Sequence, residues 1–162
     1  MVRTELRRTP LRRTAFKKSG RSSEGGIRTK ATALHVTVKT LDSIARDICM
    51  LRDGGHCVVC QATENLEASH IFPKGIYKSM RWLTENIEMR CHDDHQVNSG
   101  APHADPKLCQ EWWQQHLSPA RWQYLVRSSQ LLVKVTPWYR DTEFKRLKFE
   151  YLDLTGHVWG KA

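Results

Sequence analysis

Three cysteines place the strongest restriction on how this chain can fold. Cys57 and Cys60 are separated by two residues, and Cys91 follows 31 residues after Cys60. Two cysteines on one tight turn, with a third brought beside them, can occupy three corners of a tetrahedral zinc site. The alternative is that they are small buried side chains in an ordinary turn. The chain holds five cysteines in all, an odd number that excludes a complete set of disulfides, and we expect a reduced, intracellular protein.

The residues after Cys91 supply the candidates for a fourth zinc ligand. Asp94 stands three residues after Cys91, where a second Cys-x2-Cys turn would place its partner, and His92 and His95 are its neighbours. A carboxylate oxygen can bind zinc, although an imidazole is the more usual choice. We favour Asp94 as the fourth ligand and keep His95 and His92 as alternatives.

Charge divides the chain into two unequal parts. The 162 residues carry a formal net charge of +9, and residues 1–30 hold ten of the basic residues and only two acidic ones. Residues 1–35 are also poor in large apolar groups, so they cannot offset the entropy of ordering, and we expect a disordered arm there. Such an arm can neutralise nucleic-acid phosphates, whereas a tail that only aids solubility is the alternative. Its candidate DNA-binding residues are Arg7, Arg8, Arg12, Arg13, Lys17 and Lys18.

Hydrophobic periodicity predicts a mixed helix and strand globule after the arm. Apolar residues at steps of three and four predict helices over 40–52, 107–117, 119–128 and 142–152. Residues 66–72 are predicted to form a short strand, and residues 131–135 are predicted to be extended. A further helix is predicted to begin around Cys91 and His92 and to end near residues 99–100.

Nothing in the sequence points to a membrane. The apolar runs are only a few residues long, far short of the ~20 that a membrane span needs. No apolar stretch follows the first basic residues, so we expect no secretory signal. The side chains expected in the core are Cys49, Cys109, Trp82, Trp112, Trp113, Trp122 and Tyr124.

A second set of polar residues lies within or just beyond the segment that the cysteines bracket: His70, Asn86 and His95. The order Cys-x2-Cys, His-hydrophobic-x-Pro, Asn-x4-Cys and His resembles the HNH endonuclease family. The closer likeness is to phage-encoded HNH proteins of the NinG/Rap recombination type. It rests on residues 51–55 before the first cysteine pair, on residues 63–66 leading to His70, and on residues 81–86, and it covers about residues 40–128.

The resemblance implies an α+β fold with a small zinc-stabilised ββα-metal core over about 56–100. An N-terminal helix and a C-terminal helical cap over about 105–155 would flank this core in a nuclease domain of residues 36–162. The implied reaction is phosphodiester hydrolysis that leaves a 5′-phosphate and a 3′-hydroxyl. His70 would be the general base, His95 would hold a catalytic Mg²⁺ or Mn²⁺, and Asn86 would brace the hairpin so that the His70 ring points at the water.

One position departs from the family pattern. Many HNH proteins place an Asp or His directly before the general base as a second metal ligand, whereas Ser69 stands there in this chain. Either Asp93, Asp94 or Asn98 compensates, or metal binding is loose, or the site is degenerate. Phosphate contacts from the hairpin connection are assigned to Lys74, Lys78 and Arg81, with ordinary loop solvation as the alternative.

The leading interpretation is a metal-dependent DNA endonuclease of phage type that acts in DNA recombination or processing. DNA is the expected partner, and the cytoplasm, of a bacterial host if the protein is phage-encoded, is the expected location. The alternative is a zinc-stabilised nucleic-acid-binding protein without catalysis. The sequence leaves open a monomer or a homodimer, and a duplex, single-stranded or branched substrate.

Overall fold

The computed structural model of this protein describes residues 36–160. Within that range the fold is α+β, as predicted, with a two-stranded antiparallel sheet among helices. The basic arm predicted over residues 1–35 lies outside the described residues. The main elements are α1 (Val38–Arg52), β1 (Leu66–His70), β2 (Ile87–Cys91), α2 (Pro106–His116), α3 (Pro119–Ser129) and α4 (Pro137–Thr155).

Helix α1 begins and ends close to the predicted residues because both of its ends are encoded locally. The hydroxyl of Thr37 accepts a hydrogen bond from the backbone N–H of Thr40, which satisfies one free donor of the first turn. The helix stops after Arg52, where Gly54 and Gly55 adopt φ angles of +67° and +73°. Only glycine adopts such angles without strain, so the chain can turn sharply into the first cysteine pair.

The two strands form a hairpin whose faces are covered by different helices. β1 runs antiparallel to β2, with Leu66 opposite Cys91 and His70 opposite Ile87. Successive side chains on a strand alternate between faces. Ile87 and Met89 therefore pack into the cluster built by α1 and α4, whereas Arg90, the residue after Met89, lies over the tryptophans of α2 on the other face.

Two separate hydrophobic clusters hold these elements together. The first buries Leu41, Ile44 and Ile48 of α1 with Trp82 and with Leu147 of α4. The second joins α2 and α3 to the connection between the strands; its buried members are Met80, Cys109, Trp113, Leu117 and Leu125. The predicted C-terminal cap over 105–155 is therefore divided: α2 and α3 form one cluster, and α4 completes the other.

The helix predicted from His92 to about residue 100 is shorter than predicted and takes the π-helical form. Cys91 is the last residue of β2, and only one π-helical turn, Asp93–Val97, follows it. This turn ends because Asn98 leaves the helical region, with φ −65° and ψ 154°. The Asn98 side chain instead donates a hydrogen bond to the Asp94 carboxylate at 2.9 Å.

Three smaller expectations also change. Helix α4 begins at Pro137, five residues before the predicted start, because Thr136 caps it and proline is tolerated in the first turn. Residues 131–135 pair with no strand within the described range. Tyr124, expected in the core, is 41% exposed on the outer face of α3. None of the helices within residues 36–160 has the length and apolar character that crossing a bilayer requires.

Candidate metal centre and adjoining groove

The turn that carries Cys57 and Cys60 is built by short backbone hydrogen bonds. The N–H of Gln61 donates to the carbonyl of Cys57 at 2.9 Å, and the N–H of Cys57 donates to the carbonyl of Ala62 at 2.7 Å. The N–H of Val59 points at the Cys57 sulfur, 3.4 Å away.

Four side chains converge beside this turn. The ligand atoms of Cys57, Cys60, Cys91 and Asp94 all lie within 4.8 Å of one another. The sulfurs of Cys60 and Cys91 are 3.6 Å apart, and Oδ2 of Asp94 lies 3.2 Å from the Cys57 sulfur and 3.3 Å from that of Cys91. With Zn–S bonds of about 2.3 Å, the edges of a tetrahedron measure roughly 3.8 Å between sulfurs and slightly less to oxygen. The group can therefore hold a metal ion such as zinc.

Asp94, the favoured fourth ligand, is the one that completes this group. Asn98 donates to its Oδ1 at 2.9 Å, so Oδ2 is left facing the sulfurs. The other two candidates, His92 and His95, turn instead to the carboxylate of Glu67.

Arg90 supplies positive charge beneath the four ligands. Its Nη1 donates to the backbone carbonyl of Asp94 at 3.2 Å, and the residue is only 2% exposed. Three thiolates and one carboxylate carry more negative charge than a divalent cation neutralises. The buried guanidinium offsets part of the excess, because charges in a partly buried site interact more strongly than in water.

His70, the predicted general base, lies at the end of β1 with its ring held in one orientation. Its Nε2 donates to the carbonyl of Arg81 at 2.9 Å. A carbonyl only accepts hydrogen bonds, so Nε2 carries the hydrogen and Nδ1 keeps a free lone pair. Burial lowers the pKa of His70 to about 4. The ring is therefore neutral at neutral pH, and Nδ1 is unprotonated, although the lowered pKa makes it a weaker proton acceptor than a free imidazole.

Asn86 braces the chain that leaves the His70 strand. The residue is fully buried, and its Oδ1 accepts from the N–H of Phe72 at 2.8 Å. Its Nδ2 donates to the carbonyls of Phe72 and Met80 at 3.0 and 3.1 Å. This one amide therefore ties the residues after β1 to the turn before Arg81, which carries the carbonyl that orients His70.

His95, the predicted catalytic metal ligand, is held by an acidic residue that the sequence analysis missed. Nδ1 of His95 lies 2.6 Å from one oxygen of Glu67, and Nδ1 of His92 lies 3.0 Å from the other. Hydrogen bonds from His92 and His95 lower the pKa of Glu67 to about 2. Ionised Glu67 accepts the Nδ1 hydrogen of His95, which leaves Nε2 as the nitrogen with a free lone pair. A carboxylate commonly orients a metal-binding imidazole in this way.

His70 and His95 line the same groove, which has a volume of about 360 Å³. Glu67 lines this groove as well. The positively charged residues that line the groove are Arg46, Lys74 and Arg81. Arg81 is committed to the fold, because its guanidinium binds both carboxylate oxygens of Asp42 at 3.0 and 2.6 Å. Lys74 and Arg46 line the groove beside His70, and neither forms a salt bridge with another of the described residues.

The remaining predicted residues lie elsewhere. Ser69 alternates with His70 and points to the opposite face of the sheet, where its Oγ is buried without a hydrogen-bond partner among residues 36–160. It therefore does not replace the acidic ligand of the family pattern. Asp93 is exposed and Asn98 is committed to Asp94. Lys78 is exposed at the start of a short 3-10 turn, outside the residues that line the groove.

Sequence spacing offered a signal for only some of these groove residues. Asp42 and Arg46 are four apart on the polar face of the predicted first helix, and this pattern marks them as neighbours. Nothing in the spacing links Glu67 to His95, because the register of the two strands brings them together. His103, whose ring centre lies 4.9 Å from that of His95, likewise has no sequence signal.

No protein-family model matches this chain, and no curated protein or solved structure matches it either.

Proposed function

We propose that this protein is a metal-dependent DNA endonuclease of the HNH type, with a ββα-metal core around the hairpin. The observation that carries the proposal is the shared groove of His70 and His95. In this groove a backbone carbonyl orients one imidazole and a carboxylate orients the other. The Cys57 cluster, loaded with zinc, would hold the hairpin in the shape that this pairing needs.

His70 fits the role of general base. Hydrolysis of a phosphodiester needs a water molecule that loses its proton as it attacks phosphorus. Neutral His70 presents the lone pair of Nδ1, while the bond from Nε2 to the Arg81 carbonyl keeps the ring from rotating. Proton transfer to a positioned side chain of this kind typically contributes 10²–10⁴-fold, in order of magnitude. The products would be a 5′-phosphate and a 3′-hydroxyl.

His95 is the side chain that would hold the catalytic divalent cation, Mg²⁺ or Mn²⁺, through Nε2. A nitrogen donor suits Mn²⁺ better than Mg²⁺. When bound, the cation would neutralise charge on the phosphate and on the leaving oxygen. Glu67 would fix the orientation of the His95 ring through Nδ1.

Basic residues would hold the nucleic acid on either side of this chemistry. Lys74 and Arg46 line the groove where the scissile phosphate would lie. The ten basic residues within 1–30 would add a sequence-independent grip on the backbone. Because these contacts are to phosphates and not to bases, DNA of many sequences would be a substrate, in keeping with a role in recombination or processing.

A nicking assay with matched histidine variants tests the proposal. Supercoiled plasmid is incubated with zinc-loaded protein and Mg²⁺ or Mn²⁺, and His70→Ala is compared with His157→Ala, which changes an exposed histidine away from the groove. We expect His70→Ala to lose at least about 100-fold in nicking rate while DNA binding persists, and His157→Ala to match wild type. If wild type binds DNA but cleaves none in any divalent metal, the protein is a zinc-stabilised binding protein instead.

A further inference from the structure

A second cavity, of about 280 Å³, adjoins His70 on the side of α2 and α3. His70 lines both this cavity and the groove that it shares with His95, Arg46 and Lys74, here called the basic groove. Its other walls include four aromatic residues: Phe72, Tyr77, Trp113 and Trp122. The proposed nuclease chemistry uses none of these four side chains.

The aromatic walls are fixed by their contacts with one another. The ring of Phe72 meets Tyr77 edge to face, with centres 5.3 Å apart, and it lies 5.6 Å from Trp122 at a tilt of 33°. The backbone of Phe72 is held by Asn86. A rigid aromatic pocket loses little conformational entropy when a flat ligand enters.

The cavity also has a polar side chain at its wall. The amide of the exposed residue Gln110 lines it and offers both a donor and an acceptor to a bound molecule.

We propose that this cavity binds an unstacked nucleobase of the strand whose phosphate occupies the adjoining basic groove. The inference rests on the proposed function and gives the substrate a conformation: the nucleotide beside the cut leaves the base stack. Proteins read such bases by stacking them among aromatic side chains and by hydrogen bonds to their edges. His70 lines both the basic groove, where the phosphate would lie, and the aromatic cavity, where the base would lie.

A base within an intact duplex can enter the cavity only after it is unpaired and unstacked, which costs free energy. Single-stranded DNA, or a duplex with an unpaired nucleotide, supplies the base without the cost of unstacking a pair. The cavity therefore favours unpaired substrates over continuous duplex of the same sequence.

The test compares intact and abasic single strands with the zinc-loaded full-length protein in a buffer without Mg²⁺ or Mn²⁺. A fluorescein-labelled single strand and the same strand with abasic sites in place of its bases carry identical phosphates, and anisotropy gives Kd for each. We expect wild type to bind the intact strand about 5- to 100-fold more tightly than the abasic strand. Trp122→Ala should weaken only the binding of the intact strand, whereas Trp138→Ala, which alters a tryptophan 75% exposed on α4, should change neither.

Equal affinity of wild type for the two strands overturns the proposal, as does an equal loss on both strands in Trp122→Ala. If Trp122→Ala fails to fold, Tyr77→Leu replaces it, and a 2-aminopurine base in the strand reports stacking against wild type. An unchanged 2-aminopurine signal on binding also overturns the proposal.

The base cavity and the nuclease assignment fail in different ways. Base-dependent binding without cleavage of either plasmid or single-stranded DNA retains the cavity and removes the nuclease. Nicking that depends on His70, with no difference between intact and abasic strands, retains the nuclease and removes the cavity.

Discussion

Replacing Asn86 by alanine should lower the free energy of unfolding by about 3 kcal/mol. The fully buried amide makes three hydrogen bonds, of 2.8, 3.0 and 3.1 Å, to the backbone of Phe72 and Met80. Each such bond contributes about 1 kcal/mol net, and the partners that lose it inside the protein keep their desolvation cost. In a domain of this size the change corresponds to a fall of roughly 10 °C in Tm.

The same substitution should also reduce nicking by more than the loss of folded protein explains. Phe72 stands two residues after His70, so releasing its backbone frees the chain that positions the imidazole. Asn86→Asp is the informative companion variant. Its Oδ1 still accepts from the N–H of Phe72, but the second oxygen faces two carbonyl oxygens that cannot donate to it. We expect it to be no more stable than Asn86→Ala.

Urea unfolding followed by circular dichroism, at a fixed excess of zinc, measures these changes. The matched control is Gln130→Ala, which removes an exposed amide whose side chain contacts only Ser129 within the described residues. That control should shift stability by less than about 0.5 kcal/mol. If Asn86→Ala unfolds within about 1 kcal/mol of wild type, the amide does not brace the hairpin and the reasoning is refuted.

Three further predictions concern metal, pH and the arm. Elemental analysis should find one zinc per chain, and Cys60→Ser should lose it with a fall in Tm, while Cys109→Ser, outside the cluster, should retain it. Because burial lowers the pKa of His70 to about 4 in the folded protein, against about 6.5 in an unfolded chain, the unfolded chain binds the proton first. The contribution of neutral His70 to the free energy of unfolding is present above a pH of about 6.5 and is lost as the pH falls towards about 4. His70→Gln should therefore reduce the pH dependence of the free energy of unfolding, measured with urea, over that range. An unchanged pH dependence would contradict the lowered pKa of His70. Deleting residues 1–30 should weaken DNA binding and flatten the dependence of log Kd on salt, whereas an identical salt slope would show that the arm makes no phosphate contacts.

The part of the site predictable from sequence is the part carried by short spacings. Cys57 and Cys60 share one turn, and Asp94 follows Cys91 at the same interval, so each pair meets whatever the rest of the chain does. Helix α1 was predictable for a similar reason, since its apolar stripe, its cap and its terminal glycines are all local.

The helix expected after Cys91 is shorter than predicted because contacts with distant residues, and not the local pattern, decide where it ends. Residues 92–100 contain nothing that forbids a helix before Gly100. In the structure the Asp94 carboxylate turns to the cysteines and Asn98 turns to Asp94, and these contacts compete with helical geometry. They exist only once β2 has placed Cys91 beside the first cysteine pair.

The amino-acid sequence alone determined the Cys57–Cys60 pair, the Cys91–Asp94 pair and the first helix, because the spacing of each is set within one turn or one helix. The tertiary structure decided that Glu67 orients His95, that α4 joins α1 instead of the other C-terminal helices, and that four aromatic rings enclose a cavity beside His70. These relations join residues tens of positions apart. Their contacts depend on strand register and on helix packing, which no short stretch of sequence encodes.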